Sequence, residues 1–208
     1  MAGIYVECLP VGAFQENCYL VVNAETRGCL IVDPGAEGER IIRAAQEYKP
    51  AAVLLTHAHW DHIGAVDAVC GHFGIPLYVH EADAPKLTDS TKNVARQFGC
   101  DVTVATRPHL LHGGETLFLA DMEIRVLHTP GHTSGSVCWR SDDVLYTGDT
   151  LFRMSRGRTD FPDGDDAKML ESFRKLKALE GEYRVLPGHN EESTLSFEKA
   201  HNPTMRGL

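Results

Sequence analysis

The sequence predicts an α/β protein, and three features carry that expectation. Short apolar, β-branched runs alternate with amphipathic helices through the first 80 residues. A second set of short strands follows, broken by Gly-Gly and Ala-Asp turns. Side chains able to bind a metal fall where strands end, the usual place for ligands in an open α/β sheet.

Residues 4–9, 18–22 and 29–32 are β-rich runs separated by the turn-formers Pro10-Val11-Gly12 and residues 23–28. Asp33-Pro34-Gly35 ends the third run with strong turn chemistry. Residues 39–48 place Ile41, Ile42, Ala45 and Tyr48 on one helical face. Ala51-Ala52-Val53-Leu54-Leu55 is short and apolar, as expected of a strand buried on both sides. Residues 63–73 space Ile63, Val66, Val69, Cys70 and Phe73 by three and four, which predicts a helix with Asp61 and His62 in its first turn. Residues 76–80 read as another buried strand, and the polar stretch 81–99 as short helices. The second sheet is predicted from 103–106, 115–119 and 123–127, with turns at Gly113-Gly114 and Ala120-Asp121. A hairpin of 137–139 and 144–146 follows, turning at Ser141-Asp142-Asp143. Residues 165–179 form an aspartate-capped helix burying Met169, Leu170, Phe173, Leu176 and Leu179. A strand at 183–186 and a helix at 193–200 complete the chain.

At 208 residues, the chain suits a single domain, 1–208, with a substantial core. A net charge of −9 disfavours non-specific binding to nucleic acid or an anionic membrane. No stretch approaches the roughly 20 apolar residues that span a bilayer, and the first residues lack the basic start and apolar core of a secretory signal. The six cysteines are scattered, with no Cys-x-x-Cys, as expected of reduced thiols in a cytoplasmic protein.

The chemistry concentrates in Thr56-His57-Ala58-His59-Trp60-Asp61-His62, directly after the buried run 51–55. His57 and His59 are close enough to share one ion, while Asp61 and His62 project from the next turn toward a second. Imidazole and carboxylate suit zinc, iron or manganese, and the lack of nearby thiolates argues against a closed all-cysteine zinc site. The same ligands accept each of those ions, so the sequence leaves the metal open.

The pattern His-x-His-x-Asp-His after a buried strand resembles the signature of the metallo-β-lactamase fold, and is similar in particular to its glyoxalase II-like hydrolases. The resemblance implies further ligands on later loops, and three matches occur in order: His132 in Thr129-Pro130-Gly131-His132-Thr133, Asp149 in Thr147-Gly148-Asp149-Thr150, and His189 in Leu186-Pro187-Gly188-His189. It also implies a four-layer αββα sandwich of two mixed β-sheets flanked by helices. One divalent ion, most simply zinc, would sit on His57, His59 and His132, and another on Asp61, His62 and His189. Asp149 would lie between them, since a carboxylate is the protein ligand best able to bridge two ions. Asp61 is also the candidate catalytic residue, orienting the attacking hydroxide. Asp33 would lie under the metal loop and hydrogen-bond its backbone, or serve simply as a turn aspartate. With the ligand set filled, His80, His109, His112 and His128 are expected to be structural or solvated.

Residues 151–165 carry Gly157-Arg158-Thr159-Asp160-Phe161-Pro162-Asp163-Gly164, which resembles the short glyoxalase II-like hydrolases more than lactamases. The sequence departs from their commonest pattern at Met154 and Asn190, where glycine is usual. Arg153, Arg156 and Arg158 could attract an anionic small-molecule substrate, or pair with Asp160, Asp163, Asp165 and Asp166. The C-terminal helical domain of full-length glyoxalase II enzymes has no room here. The leading expectation is a dinuclear metal-dependent hydrolase of a thioester such as an S-acylglutathione, or of a small ester. The alternatives are a mononuclear iron persulfide dioxygenase on His57, His132 and Asp149, or another hydrolase of the fold such as a lactonase or phosphodiesterase.

Overall fold

Alternation along the strands builds the layers in the computed structural model, which describes residues 3–208. The first half contains β1 (Ile4–Val11), β2 (Glu16–Asn23), β3 (Gly28–Val32), α1 (Gly38–Ala45), β4 (Lys49–Leu54), α2 (Trp60–Ile63), α3 (Val66–Phe73), β5 (Leu77–His80) and β6 (Pro108–Leu111). Their strands form one sheet in sequence order, antiparallel through β3 and parallel from β3 to β6. Along β2, Cys18, Leu20 and Val22 face a cluster with Ile41 of α1 and Val66 and Val69 of α3. Tyr19 and Val21 face the opposite way, into a second cluster shared with the other sheet.

That other sheet contains β7 (Thr116–Leu119), β8 (Met122–His128), β9 (Val137–Ser141), β10 (Val144–Gly148), β13 (Arg184–Pro187) and β14 (Ser193–Thr194), in the order β14-β13-β10-β9-β8-β7. Between β10 and β13 lie a small hairpin of β11 (Leu151–Phe152) and β12 (Ser155–Arg156), then α4 (Asp166–Lys177); α5 (Leu195–His201) and α6 (Pro203–Arg206) close the chain. Ile124, Val126, Trp139 and Tyr146 point inward, while Cys138, Leu145 and Val185 pack outward on Met169, Phe173 and Leu176 of α4. Two mixed sheets covered by helices on both outer faces give the αββα sandwich that the resemblance implied.

Two elements differ from expectation. Residues 103–106 form no strand; β6 takes that place one step later, at the edge of the first sheet rather than in the second. The backbone N–H groups of Ala105 and Thr106 donate instead to the Asp67 carboxylate, at 2.8 Å each, so side-chain bonds replace a ladder. The helix expected over 63–73 is broken into α2 and α3. Ala65 N donates to Pro34 O at 2.9 Å, and a Cβ on Gly64 would lie 2.4 Å from Gly35 O, so the Asp33-Pro34-Gly35 turn wedges into the helix path. The consequence is a separate short α2 holding Asp61 and His62.

The sheets are tied together where β4, β10 and β13 end. Trp139 Nε1 donates to Leu55 O at 3.0 Å, Val137 N to Thr56 O at 2.8 Å, and Asn17 N to Gly188 O at 2.7 Å. Among the described residues, no helix is long and apolar enough to cross a membrane. All six cysteines are free.

Candidate metal centre

The end of β4 runs into His57 and His59, and α2 begins immediately after with Asp61 and His62. His132 sits in the loop after β8, Asp149 directly after β10, and His189 just beyond β13. The fold brings all seven to one place. His57, His59 and His132 offer ligand atoms within 4.8 Å of one another, as do Asp61, His62 and His189. His59 Nδ1 and His132 Nε2 lie 2.8 Å apart, and Asp61 Oδ2 lies 3.4 Å from His189 Nε2. Asp149 stands between the two groups. Its Oδ1 is 3.4 Å from His62 Nε2 and 3.8 Å from His189 Nε2, while its Oδ2 is 3.4 Å from His132 Nε2.

Four of the five rings are also held from behind. His62 Nδ1 lies 3.0 Å from Asp33 Oδ2, His132 Nδ1 2.8 Å from Arg158 O, His189 Nδ1 3.2 Å from Phe14 O, and His57 Nδ1 3.1 Å from Thr56 Oγ1. Such contacts fix which nitrogen is free to face a cation. Asp33 does more than turn the chain: it accepts the Thr56 N–H at 2.7 Å and the Thr56 hydroxyl at 2.5 Å, holding the loop that carries His57. A third group of nearby donors, Asp33, His57 and His62, is occupied by these same bonds.

The residues fit a cation pair on an independent ground. His57 Nε2, His59 Nε2, His62 Nε2 and Asp149 Oδ1 are buried without a hydrogen-bond partner. Three of them, His57 Nε2, His62 Nε2 and Asp149 Oδ1, belong to the site, where His59 instead turns its Nδ1 toward His132, and orphaned buried atoms so grouped are costly for a structural cluster, at about 1–3 kcal/mol each. The electrostatics agree at His57 and His59, whereas at His62 and His189 burial is outweighed by neighbouring carboxylates, which raise both above the usual histidine range. Burial, reinforced by neighbouring imidazoles, holds His57 well below the usual histidine range and His59 down to about 3, so both rings are neutral with free lone pairs. Burial works against the Asp149 carboxylate, but His62 and His132 outweigh it and keep the group ionised.

Two glycines are required by close approach. A Cβ on Gly188 would lie 2.5 Å from Asp149 Oδ1 and 2.7 Å from His62 Cε1; at Gly148, with φ +46°, it would meet Thr56 Oγ1 at 2.2 Å.

Several participants carry no motif. Asp83, wholly buried, accepts from Ala58 N, Gly135 N and Thr133 Oγ1 at 2.8–2.9 Å, joining the His57/His59 loop to the His132 loop. Lys86 bridges Asp83 and Asp163 at 2.7 Å each, and Asp163 accepts from Ser134 N. Glu16 is buried beneath the site with neither oxygen hydrogen-bonded; burial first, and the carboxylates of Asp33, Asp61 and Asp149 next, hold it well above the usual range. The three arginines are all paired: Arg153 with Glu191, Arg156 with Asp166, and Arg158 with Asp160, each at 2.6 Å. His80 and His128 stack at 4.1 Å, His109 stacks on Tyr78, and His112 pairs with Glu81, all apart from the seven. Met154 and Asn190 both adopt positive φ, +59° and +67°, which is why glycine suits those positions.

The segment 81–99 borders the cleft above the seven residues. Val94 and Phe98 line it together with Phe14, Trp60, Phe152 and Phe161, in a cleft of about 500 Å³.

A two-sheet sandwich with a histidine- and aspartate-rich cradle at the ends of its strands defines a metal-site protein of the αββα type. The chain belongs to the metallo-beta-lactamase superfamily, largely one of metal-dependent hydrolases, and the superfamily's model matches residues 11–189. It is 38% identical over 206 residues to a probable metallo-hydrolase, YqgX, of Bacillus subtilis, covering 96% of this chain and 97% of the relative. It is 37% identical over 205 residues to hydroxyacylglutathione hydrolase GloC of Haemophilus influenzae, covering 95% and 96%. Among solved structures, BLEG-1 B3 metallo-beta-lactamase superposes with a TM-score of 0.92 at 38% identity, covering 97% of this chain and 99% of that one. TTHA1623 in a di-iron-bound form superposes at 0.85 with 36% identity, covering 95% and 98%.

Proposed function

We propose that this chain is a dinuclear metal-dependent hydrolase of thioesters or small esters, with S-acylglutathiones such as S-lactoylglutathione as first candidates. The observation that carries the reading is Asp149, half-buried between two ligand triads with one oxygen toward each. His57, His59 and His132 would hold one cation and Asp61, His62 and His189 the other. Zinc is the proposed metal; the donors equally suit iron and manganese, and a relative has been solved with two irons. The GloC relative supports a glutathione thioester, and the free cysteines support a reducing, cytoplasmic setting.

Divalent cations in such a pair supply an acidified water and polarise a carbonyl. The chain's own groups do the rest. Asp61, at the cleft surface, accepts a hydrogen bond from the attacking water and aligns it on the carbonyl carbon. The water gives a proton to solvent, a C–O bond forms, the C–S bond breaks, and sulfur leaves as a thiolate that takes a proton from solvent. Asp33, Phe14 O and Arg158 O keep the imidazoles turned toward the cations throughout.

Elemental analysis combined with assays on S-lactoylglutathione, glutathione persulfide and a chromogenic β-lactam tests the reading. Thiol release without oxygen uptake, with about two metals per chain, supports it. Oxygen consumption on the persulfide with one iron, or turnover of the β-lactam alone, overturns it. Asp61→Ala is expected to lower turnover by on the order of a hundredfold with the fold intact by circular dichroism; unchanged turnover removes Asp61 from the mechanism.

A further inference from the structure

One side of the cleft is built from rings. Phe14 from the β1–β2 turn, Trp60 from α2, Phe98 from the 3-10 turn at Ala95–Phe98, and Phe161 from the loop before α4 come from four distant parts of the chain. They are contiguous: Phe14 lies 5.4 Å from both Trp60 and Phe98, Trp60 lies 5.8 Å from Phe98, and Phe98 lies 6.5 Å from Phe161. Phe161 in turn packs edge-on against His59 at 5.3 Å, so the wall begins at the floor of the metal site.

Two of the rings are open to solvent, Phe14 at 47% and Phe98 at 43% exposure. Scattered exposed phenylalanines are ordinary; a concave, continuous wall of them beside polar ligands is how small-molecule sites are lined. The charge at the wall points the same way. Arg158, the cationic side chain among the described lining residues, is clamped by Asp160 at 2.6 and 2.7 Å and lies over Phe161 at 4.2 Å. Its guanidinium is neutralised by Asp160 and caps Phe161 rather than offering a free charge.

We infer that the substrate carries an apolar ring that lies on the wall formed by Phe14, Trp60, Phe98 and Phe161 while its carbonyl reaches the floor. The inference rests on the hydrolase reading and narrows its substrate class to ring-bearing thioesters or esters, which sets S-lactoylglutathione, a thioester without a ring, aside as the preferred substrate. The ring can belong to the acyl or to the thiol side, and the two are separable by experiment.

Metal-loaded protein is assayed on S-acetyl-N-acetylcysteamine, which has no ring, on S-phenylacetyl-N-acetylcysteamine, with an acyl-side ring, and on benzyl thioacetate, with a thiol-side ring. At least one ring-bearing substrate is expected to exceed the ring-free one in kcat/KM by about tenfold or more. Phe98→Ala and Phe161→Ala are expected to bring that ratio close to one. In parallel, phenylacetate and acetate are titrated while tryptophan emission is followed. Trp60 is on the wall and Trp139 is fully buried, so quenching by phenylacetate alone reports ring binding. Equal kcat/KM for all three substrates, or a ring advantage that survives both substitutions, overturns the inference, as does quenching no stronger for phenylacetate than for acetate. Quenching by phenylacetate with no thioester cleaved overturns the hydrolase reading and leaves the ring site standing.

Discussion

The floor of the cleft and its wall are made in opposite ways. On the floor, His57, His59, His62 and His132 are buried, and four of the five imidazoles are gripped from behind by a carboxylate, a hydroxyl or a backbone carbonyl. On the wall, the four rings pack in a chain, come from a turn, a short helix, a 3-10 turn and a loop, and are partly open to solvent. A floor of this kind tolerates no displacement, because ligands must hold position to within about half an ångström. A wall of packed rings can give way and refill. The difference teaches where chemistry and selectivity reside: reaction type is written into the rigid part, substrate choice into the compliant one.

Substitutions graded by effect probe that division. The largest is Gly188→Ala, which drives a methyl between Asp149 and His62. It should cut turnover by about a hundredfold or more and cost about 1–3 kcal/mol by overpacking; wild-type turnover would show the floor to be as pliable as the wall. Next comes Asp83→Ala, which orphans three buried donors and strips Lys86 of one of its two carboxylates. Urea unfolding should show a loss of about 3–5 kcal/mol.

A smaller effect follows acid. Burial disfavours the Asp163 carboxylate, but Lys86 and Ser134 more than offset this and hold its pKa below the ordinary value. A depressed carboxyl contributes stability that is present above about pH 4 and lost as pH falls through the lowered value. Asp163→Asn should therefore flatten the acid limb of the stability profile below about pH 4; an unaltered limb would assign the acid sensitivity elsewhere. Smallest is Met154→Gly, outside the floor, where relief of a left-handed backbone should raise stability by about 1 kcal/mol in thermal unfolding.

The floor was legible because its chemistry is dense and local. His57, His59, Asp61 and His62 sit within six residues behind a buried strand, while His132, Asp149 and His189, scattered over later loops, were legible only through the family resemblance that the first four carry. Most individual strands and helices were legible for a similar reason, since strand alternation and helix spacing are short-range patterns, whereas their stacking into four layers followed from the family resemblance. What lay beyond reach was set by distance in sequence. Nothing near Asp83 or Lys86 announces that they join two metal loops, and nothing near Phe14 or Phe98 places them 5.4 Å apart. The break at Gly64 and Ala65 was hidden because its cause, the turn at Asp33-Pro34-Gly35, packs against it only in the folded chain. The strand expected at 103–106 failed on a single competitor, the Asp67 carboxylate.

The central claim is that two cations share Asp149. Chelator-stripped protein titrated with zinc, followed by calorimetry and elemental analysis, tests it most directly. Close to two cations per chain are expected, with Asp149→Ala weakening both sites by about 100-fold or more. A chain that takes up no metal, or an Asp149→Ala variant that binds both cations as tightly as the wild type, would contradict it.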